Sequence, residues 1–127
     1  MNGIKVVFDS SAIIKLIDRQ YDLLSLGINI DEAQLFSSVI VRMELLSKRA
    51  ITVNEERVIQ EFLEDLTIVH LDRAIELKAI EIRRVTALKL PDCIIAATSI
   101  ALDALLLTDD NHLLNLSWPG LRVQKIC

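Results

Sequence analysis

The 127-residue sequence predicts an α/β fold, one domain over residues 1–127 with a mostly parallel central sheet between two helical layers. Two observations carry that prediction. Short apolar, β-branched runs alternate with helical patterns along the whole chain, the signature of parallel strands joined by crossover helices. Hydrophobic residues make up 52% of the chain, ample for one buried core, and no linker, repeat or low-complexity stretch divides it.

The elements follow in order. Ile4 to Phe8 is a short apolar run of the kind a buried parallel strand needs. Ser10 and Ser11 are expected to cap a helix from Ala12 to Arg19. A second strand is expected over Leu35 to Ser38, with Val39 to Val41 as a possible extension, and a helix over Arg42 to Ala50. Asn54, Glu55 and Glu56 make a helix start, after which Val58, Ile59, Phe62, Leu63 and Leu66 form one apolar face. Thr67 to Leu71 reads as strand, and Asp72 as the cap of a long helix reaching Thr86. Pro91 opens a helix that is almost entirely apolar to Leu102 and must therefore be buried on most sides. Ala104 to Leu107 and Arg122 to Ile126 complete the strands.

The net charge of −4 argues against a binder that relies on a broad basic footprint. It is compatible with an enzyme that gathers carboxylates in one cleft. No run reaches the roughly 18 apolar residues of a membrane span. The N-terminal stretch has no long apolar segment of the secretory kind, so the cytoplasm is the expected compartment. Cys93 and Cys127 have no metal or disulfide spacing, and Cys93 lies in an apolar run that suits a buried thiol.

The informative feature is the placement of acidic residues against apolar elements. Asp9 follows the first strand, Glu44 lies among Met43, Leu45 and Leu46, Asp92 opens the most apolar helix, and Asp109-Asp110 follow the strand ending near Thr108. Each has an ordinary structural explanation as a cap, a solvated helix residue or a turn. Their joint occurrence is what points to chemistry, because the carboxyl ends of parallel strands form the ligand crevice of such sheets. Converging carboxylates cannot all stay ionised without a cation. An all-oxygen set selects Mg²⁺ or Mn²⁺ over Zn²⁺, and those ions activate water for displacement at phosphorus.

Four stretches resemble the acidic motifs of PIN domains, in order and over essentially the whole chain. They are Val7-Phe8-Asp9-Ser10-Ser11-Ala12-Ile13-Ile14, Val41-Arg42-Met43-Glu44-Leu45-Leu46, Leu90-Pro91-Asp92-Cys93-Ile94-Ile95-Ala96-Ala97-Thr98, and Leu106-Leu107-Thr108-Asp109-Asp110-Asn111-His112-Leu113. The resemblance implies a PIN-like three-layer α/β/α sandwich. It implies that Asp9, Glu44, Asp92 and Asp110 are the catalytic, metal-binding carboxylates for Mg²⁺ or Mn²⁺, with Ser11 and Asp109 in support behind them. Asp110 is preferred to Asp109 because the family's fourth acid commonly stands two places after a Thr such as Thr108. The implied activity is metal-dependent endoribonuclease hydrolysis of RNA. At this length the VapC-type toxin branch is the expected one, a homodimer inhibited by a cognate antitoxin protein. The alternative is a catalytically silent PIN-fold binding module in an RNA-processing complex.

Lys15, Lys48, Arg49, Arg84 and Lys89 flank the acidic motifs and are the candidate contacts to RNA phosphates. His70 and His112 offer no readable general-base arrangement, and Trp118 before Pro119-Gly120 reads as a packed corner. One Trp, one Tyr and three Phe are too few for a stacking platform. A response-regulator-type phosphoryl acceptor needs an acidic pair soon after the first strand, where this chain has Ser10 and Ser11. A dehalogenase-type phosphatase needs an Asp in the place of Ser11.

Overall fold

A computed structural model describes residues 3–19, 23–29 and 31–126. The strands are β1 (Lys5–Phe8), β2 (Gln34–Ser38), β3 (Thr67–Val69), β4 (Leu105–Thr108) and β5 (Arg122–Lys125). The helices are α1 (Ser10–Arg19), α2 (Val39–Leu46), α3 (Val53–Glu64), α4 (Arg73–Val85), α5 (Leu90–Leu102) and the single turn α6 (Asn111–Leu114). The Cys127 considered above lies outside the described residues.

All five strands are parallel, in the order β3-β2-β1-β4-β5. The chain steps outward from β1 to β2 and β3, then crosses back to β4 and β5. Right-handed crossovers therefore put the helices of the two legs on opposite faces, giving three layers. On one leg α1 packs on α2 and α3; on the other α4 packs on α5, which lies against β1, β2 and β4. The central strands are sealed on both sides: Val6, Val7 and Phe8 of β1 and Leu106 and Leu107 of β4 are fully buried. Phe62 of α3 meets the Phe8 ring edge-on at 6.2 Å between centroids. Cys93 to Ser99 of α5 are buried, as its composition requires.

The expected elements appear, with three local corrections. Asp9, not Ser10 or Ser11, starts α1: its Oδ1 accepts the Ala12 N–H at 2.8 Å, and its carbonyl accepts the Ile13 N–H. A carboxylate outcompetes the neighbouring hydroxyls for the helix's free amides because the bond is charge-assisted. Val39 to Val41 open α2 instead of extending β2, and the helix ends at Leu46, short of the expected Ala50. Ser38 is its cap, with Oγ accepting the Ile40 N–H at 3.2 Å. Burial of Val41 and Leu45 on one helical face outweighs the strand preference of a β-branched run. Asp110 begins the turn α6, its Oδ1 accepting the His112 N–H at 2.8 Å, where a plain loop was expected.

The remaining starts follow the sequence closely. Thr52 and Glu55 form a reciprocal capping box on α3, which begins at Val53, one residue before the expected start at Asn54. Asp72 caps α4 through the Ile75 N–H, and Pro91 stands in the first turn of α5. Among the described residues no helix is long and apolar enough to cross a membrane.

Candidate active site

Neighbouring strands β1 and β4 are where the path of the sheet reverses, so their carboxyl ends border the crevice that an open parallel sheet offers to ligands. Asp9 leaves β1 there, and Asp109 and Asp110 leave β4. Asp92 stands in the first turn of α5, and Glu44 projects from α2, which touches α5.

Asp9 is only 4% exposed and is held at both oxygens. Oδ1 accepts the Ser11 hydroxyl at 2.8 Å besides the Ala12 amide, and Oδ2 accepts the Thr108 hydroxyl. Each hydroxyl in turn accepts a backbone amide from the loop after β4. Asp109 N–H donates to Ser11 Oγ at 2.9 Å, and Asp110 N–H donates to Thr108 Oγ1 at 2.9 Å. Two side chains thus couple one carboxylate to two successive residues a hundred positions away in the chain. A carboxylate has about four acceptor positions, so Oδ2 keeps capacity for one more partner.

The acidic side chains feel one another. Burial pushes the Asp9 carboxyl above the ordinary aspartate range; the Thr108, Ala12 and Ser11 hydrogen bonds oppose this, and the Asp110 charge adds to it. Burial also raises Asp92, and the charges of Asp110, Glu44 and Asp9 push it further, with His112 pulling the other way. The four acids singled out in the sequence therefore share one electrostatic neighbourhood. Asp92 and Asp110 line a cleft of about 360 Å³ together with Ala87, Leu88, Lys89 and His112. Glu44 is exposed, and its Oε1 accepts the Ser10 hydroxyl at 3.0 Å.

Asp109 and Asp110 face different helices. The Asp109 carboxylate pairs with Lys15 of α1 at 2.8 Å, whereas Asp110 turns toward Asp92 of α5. Thr108 is a working residue that sequence reasoning misses; its signal is a hydroxyl at the last position of a central strand, directly before an acid pair. Of the candidate phosphate contacts, Lys89 lines the cleft, Lys48 pairs with Glu55, Lys15 pairs with Asp109, and Arg49 and Arg84 are exposed. Trp118 is half-buried against the core, as a packed corner requires. Beside the acidic edge, an apolar groove of about 470 Å³ runs between α1, α2 and α3, with Ile14, Ile17, Val58 and Ile59 in its lining.

Among the described residues no three His, Cys, Asp or Glu side chains form a ready-made cation cage. The donors still suit one kind of ion. They are all carboxylates, mutually repelled and set around an open cleft, which fits a hydrated Mg²⁺ or Mn²⁺ held through one or two carboxylates and its own waters.

A family model described as PIN domain matches residues 6–119. Comparison with curated protein sequences finds no match. Among solved structures, the chain is similar to VapBC2 from Rickettsia felis bound to a fragment of its promoter DNA. The TM-score is 0.80 at 20% identity, over 96% of this chain and 98% of that one. DNA-bound VapBC from Salmonella typhimurium gives a TM-score of 0.77 at 19% identity, covering 98% and 99%. A toxin-antitoxin complex from Klebsiella pneumoniae gives 0.73 at 24% identity, covering 91% and 94%. At such identities the likeness establishes the fold.

Proposed function

We propose a function from the premise that the family match establishes: this chain belongs to the PIN-domain family. It is a metal-dependent endoribonuclease that hydrolyses RNA phosphodiesters, and it is the toxin of a toxin-antitoxin pair. The observation that carries the reading is geometric: Asp92 and Asp110 line one cleft at the carboxyl edge of the sheet, and Thr108 ties Asp9 to the Asp110 backbone beside it. Carboxylates gathered in this way repel one another, and a cation relieves that repulsion.

In this reading Asp9, Asp92 and Asp110 would hold Mg²⁺ or Mn²⁺, with Glu44 completing the acidic rim. Such an ion, when bound, would supply activation of a water and charge compensation at the phosphoryl group. The chain's own residues do the rest. Ser11 and Thr108 hold the Asp9 carboxylate in one orientation, which preorganises it for the reaction. Ser10 steadies Glu44. Lys89, at the cleft wall beside Asp92, meets the substrate's backbone phosphate.

Two surfaces support partners of the kind implied. The apolar groove between α1, α2 and α3 adjoins Glu44 and gives an antitoxin segment a place next to the acidic edge. Leu77, Ile80 and Val85 of α4 are exposed, Val85 by 71%, and suit burial in a homodimer.

Purified protein is expected to cleave a panel of structured RNAs in Mn²⁺ or Mg²⁺. Cleavage is expected to stop in EDTA and to be lost in Asp92→Asn. Cleavage that continues in excess chelator and survives the substitution overturns the reading. Intact RNA under every metal condition instead favours the silent binding module.

A further inference from the structure

Ser11 and Lys15 are four residues apart on α1, hence on one face of that helix. Both reach Asp109. Ser11 Oγ accepts its backbone N–H at 2.9 Å, and Lys15 Nζ pairs with its carboxylate Oδ2 at 2.8 Å. One helix therefore grips one loop residue by backbone and by side chain. The next residue, Asp110, is held by its N–H to Thr108 and directs its carboxyl to the cleft shared with Asp92.

We infer that Lys15 is a positioning residue, an internal clamp that acts on the acidic cleft through Asp109 and makes no contact with RNA. The pair differs in burial from the other ion pairs among the described residues. Its side chains are 24% and 23% exposed, against 58% and 60% for Arg57–Glu61 and 72% and 54% for Arg73–Glu76. Exposed pairs of that second kind contribute little, because water screens them and two long side chains must be ordered. The shielded Lys15–Asp109 pair keeps more of its attraction. It does two things. It neutralises the one loop carboxylate that does not face the cleft, so Asp109 neither repels Asp110 nor swings in to compete with it. It also pins the backbone between Thr108 and Asp110, on which the direction of the Asp110 side chain depends.

The catalytic consequence rests on the nuclease reading above; the clamp itself does not, and the two are tested by separate measurements. Lys15→Met, Asp109→Asn, the double variant and Lys15→Arg are compared by amide hydrogen exchange at Asp109 and Asp110, by Mn²⁺ calorimetry, and by RNA kinetics. Lys15→Met is expected to speed exchange at both amides and to weaken Mn²⁺ binding by about tenfold, the usual effect of losing a partner behind a metal ligand. At fixed Mn²⁺, kcat should fall in parallel while the KM for RNA stays constant. Lys15→Arg should restore all of these. Acting as a pair, the two residues should give a double variant no worse than the more damaging single one. A raised KM for RNA in Lys15→Met, with exchange and Mn²⁺ affinity unmoved, overturns the proposal in favour of a phosphate contact. Multiplying effects in the double variant overturn it as well. Should the wild type cleave no RNA, the nuclease reading fails, and the exchange and Mn²⁺ results alone decide the clamp.

Discussion

Asp9 and Asp72 have the same local task and different fates. Each stands between a strand and the following helix, and each accepts the third amide of that helix at 2.8 Å, from Ala12 and Ile75. Asp72 follows β3 at the edge of the sheet and is exposed. Asp9 follows β1 in the centre, is 4% exposed, and takes two more hydrogen bonds from Ser11 and Thr108. Burial and the Asp110 charge hold its carboxyl above the ordinary range. The difference separates a cap from a candidate catalytic group. A cap needs only its own helix, whereas the central position adds a second strand's loop, a low-dielectric wall and neighbouring charges.

The largest expected effect breaks that comparison at the chemistry. Asp9→Asn keeps an acceptor for the Ala12 amide but removes the charge. RNA cleavage in Mn²⁺ should drop by about a hundredfold or more, as expected when a group stabilising a bound metal is lost. Asp72→Asn should leave cleavage unchanged. Equal losses in the two variants contradict the distinction.

A smaller effect appears in stability at Asp72. Asp72→Ala should cost about 1 kcal/mol in urea unfolding, the usual value of an N-cap, with cleavage by the folded protein intact. A loss well above that size assigns Asp72 more than a capping role.

The smallest effect is a pH dependence carried by the raised carboxyls. Asp92 is raised by burial and by Asp110, Glu44 and Asp9. Between the usual value of 3.8 and its raised folded value, the folded protein binds more protons than the unfolded chain. Its contribution to stability therefore falls as pH rises through that window and levels off above it. In EDTA, wild type should lose stability relative to Asp92→Asn as pH rises from 3.8, and saturating Mn²⁺ should narrow the gap. A wild-type-to-variant difference that is flat with pH contradicts the shared acidic field.

Much of this was legible in the residues themselves. Alternating apolar runs and helical faces announced the parallel sheet, Asp72 and Pro91 marked helix starts, and Asp9, Asp92 and Asp110 stood out by their positions at element ends, Glu44 by its place in an apolar helix. Those features are local, written in periodicity and capping chemistry over a few residues. The start of α2 was hidden because Val39, Ile40 and Val41 prefer strands in isolation, and only their packing made them helical.

Tertiary structure alone decided that Asp9 is sealed from water and that Lys15 is paired inside the molecule. It alone also turned Asp109 to α1 and Asp110 to the cleft. Adjacent loop residues carry the same side chain, and only the family resemblance, not their local chemistry, favoured Asp110 over Asp109 as the one in the cleft. The direction comes from two hydroxyls and a lysine, of which Ser11 and Lys15 lie more than ninety residues earlier in the chain. Such contacts exist only once β1 and β4 have paired, because pairing brings the two strand ends, and their unsatisfied amides, within reach of one carboxylate.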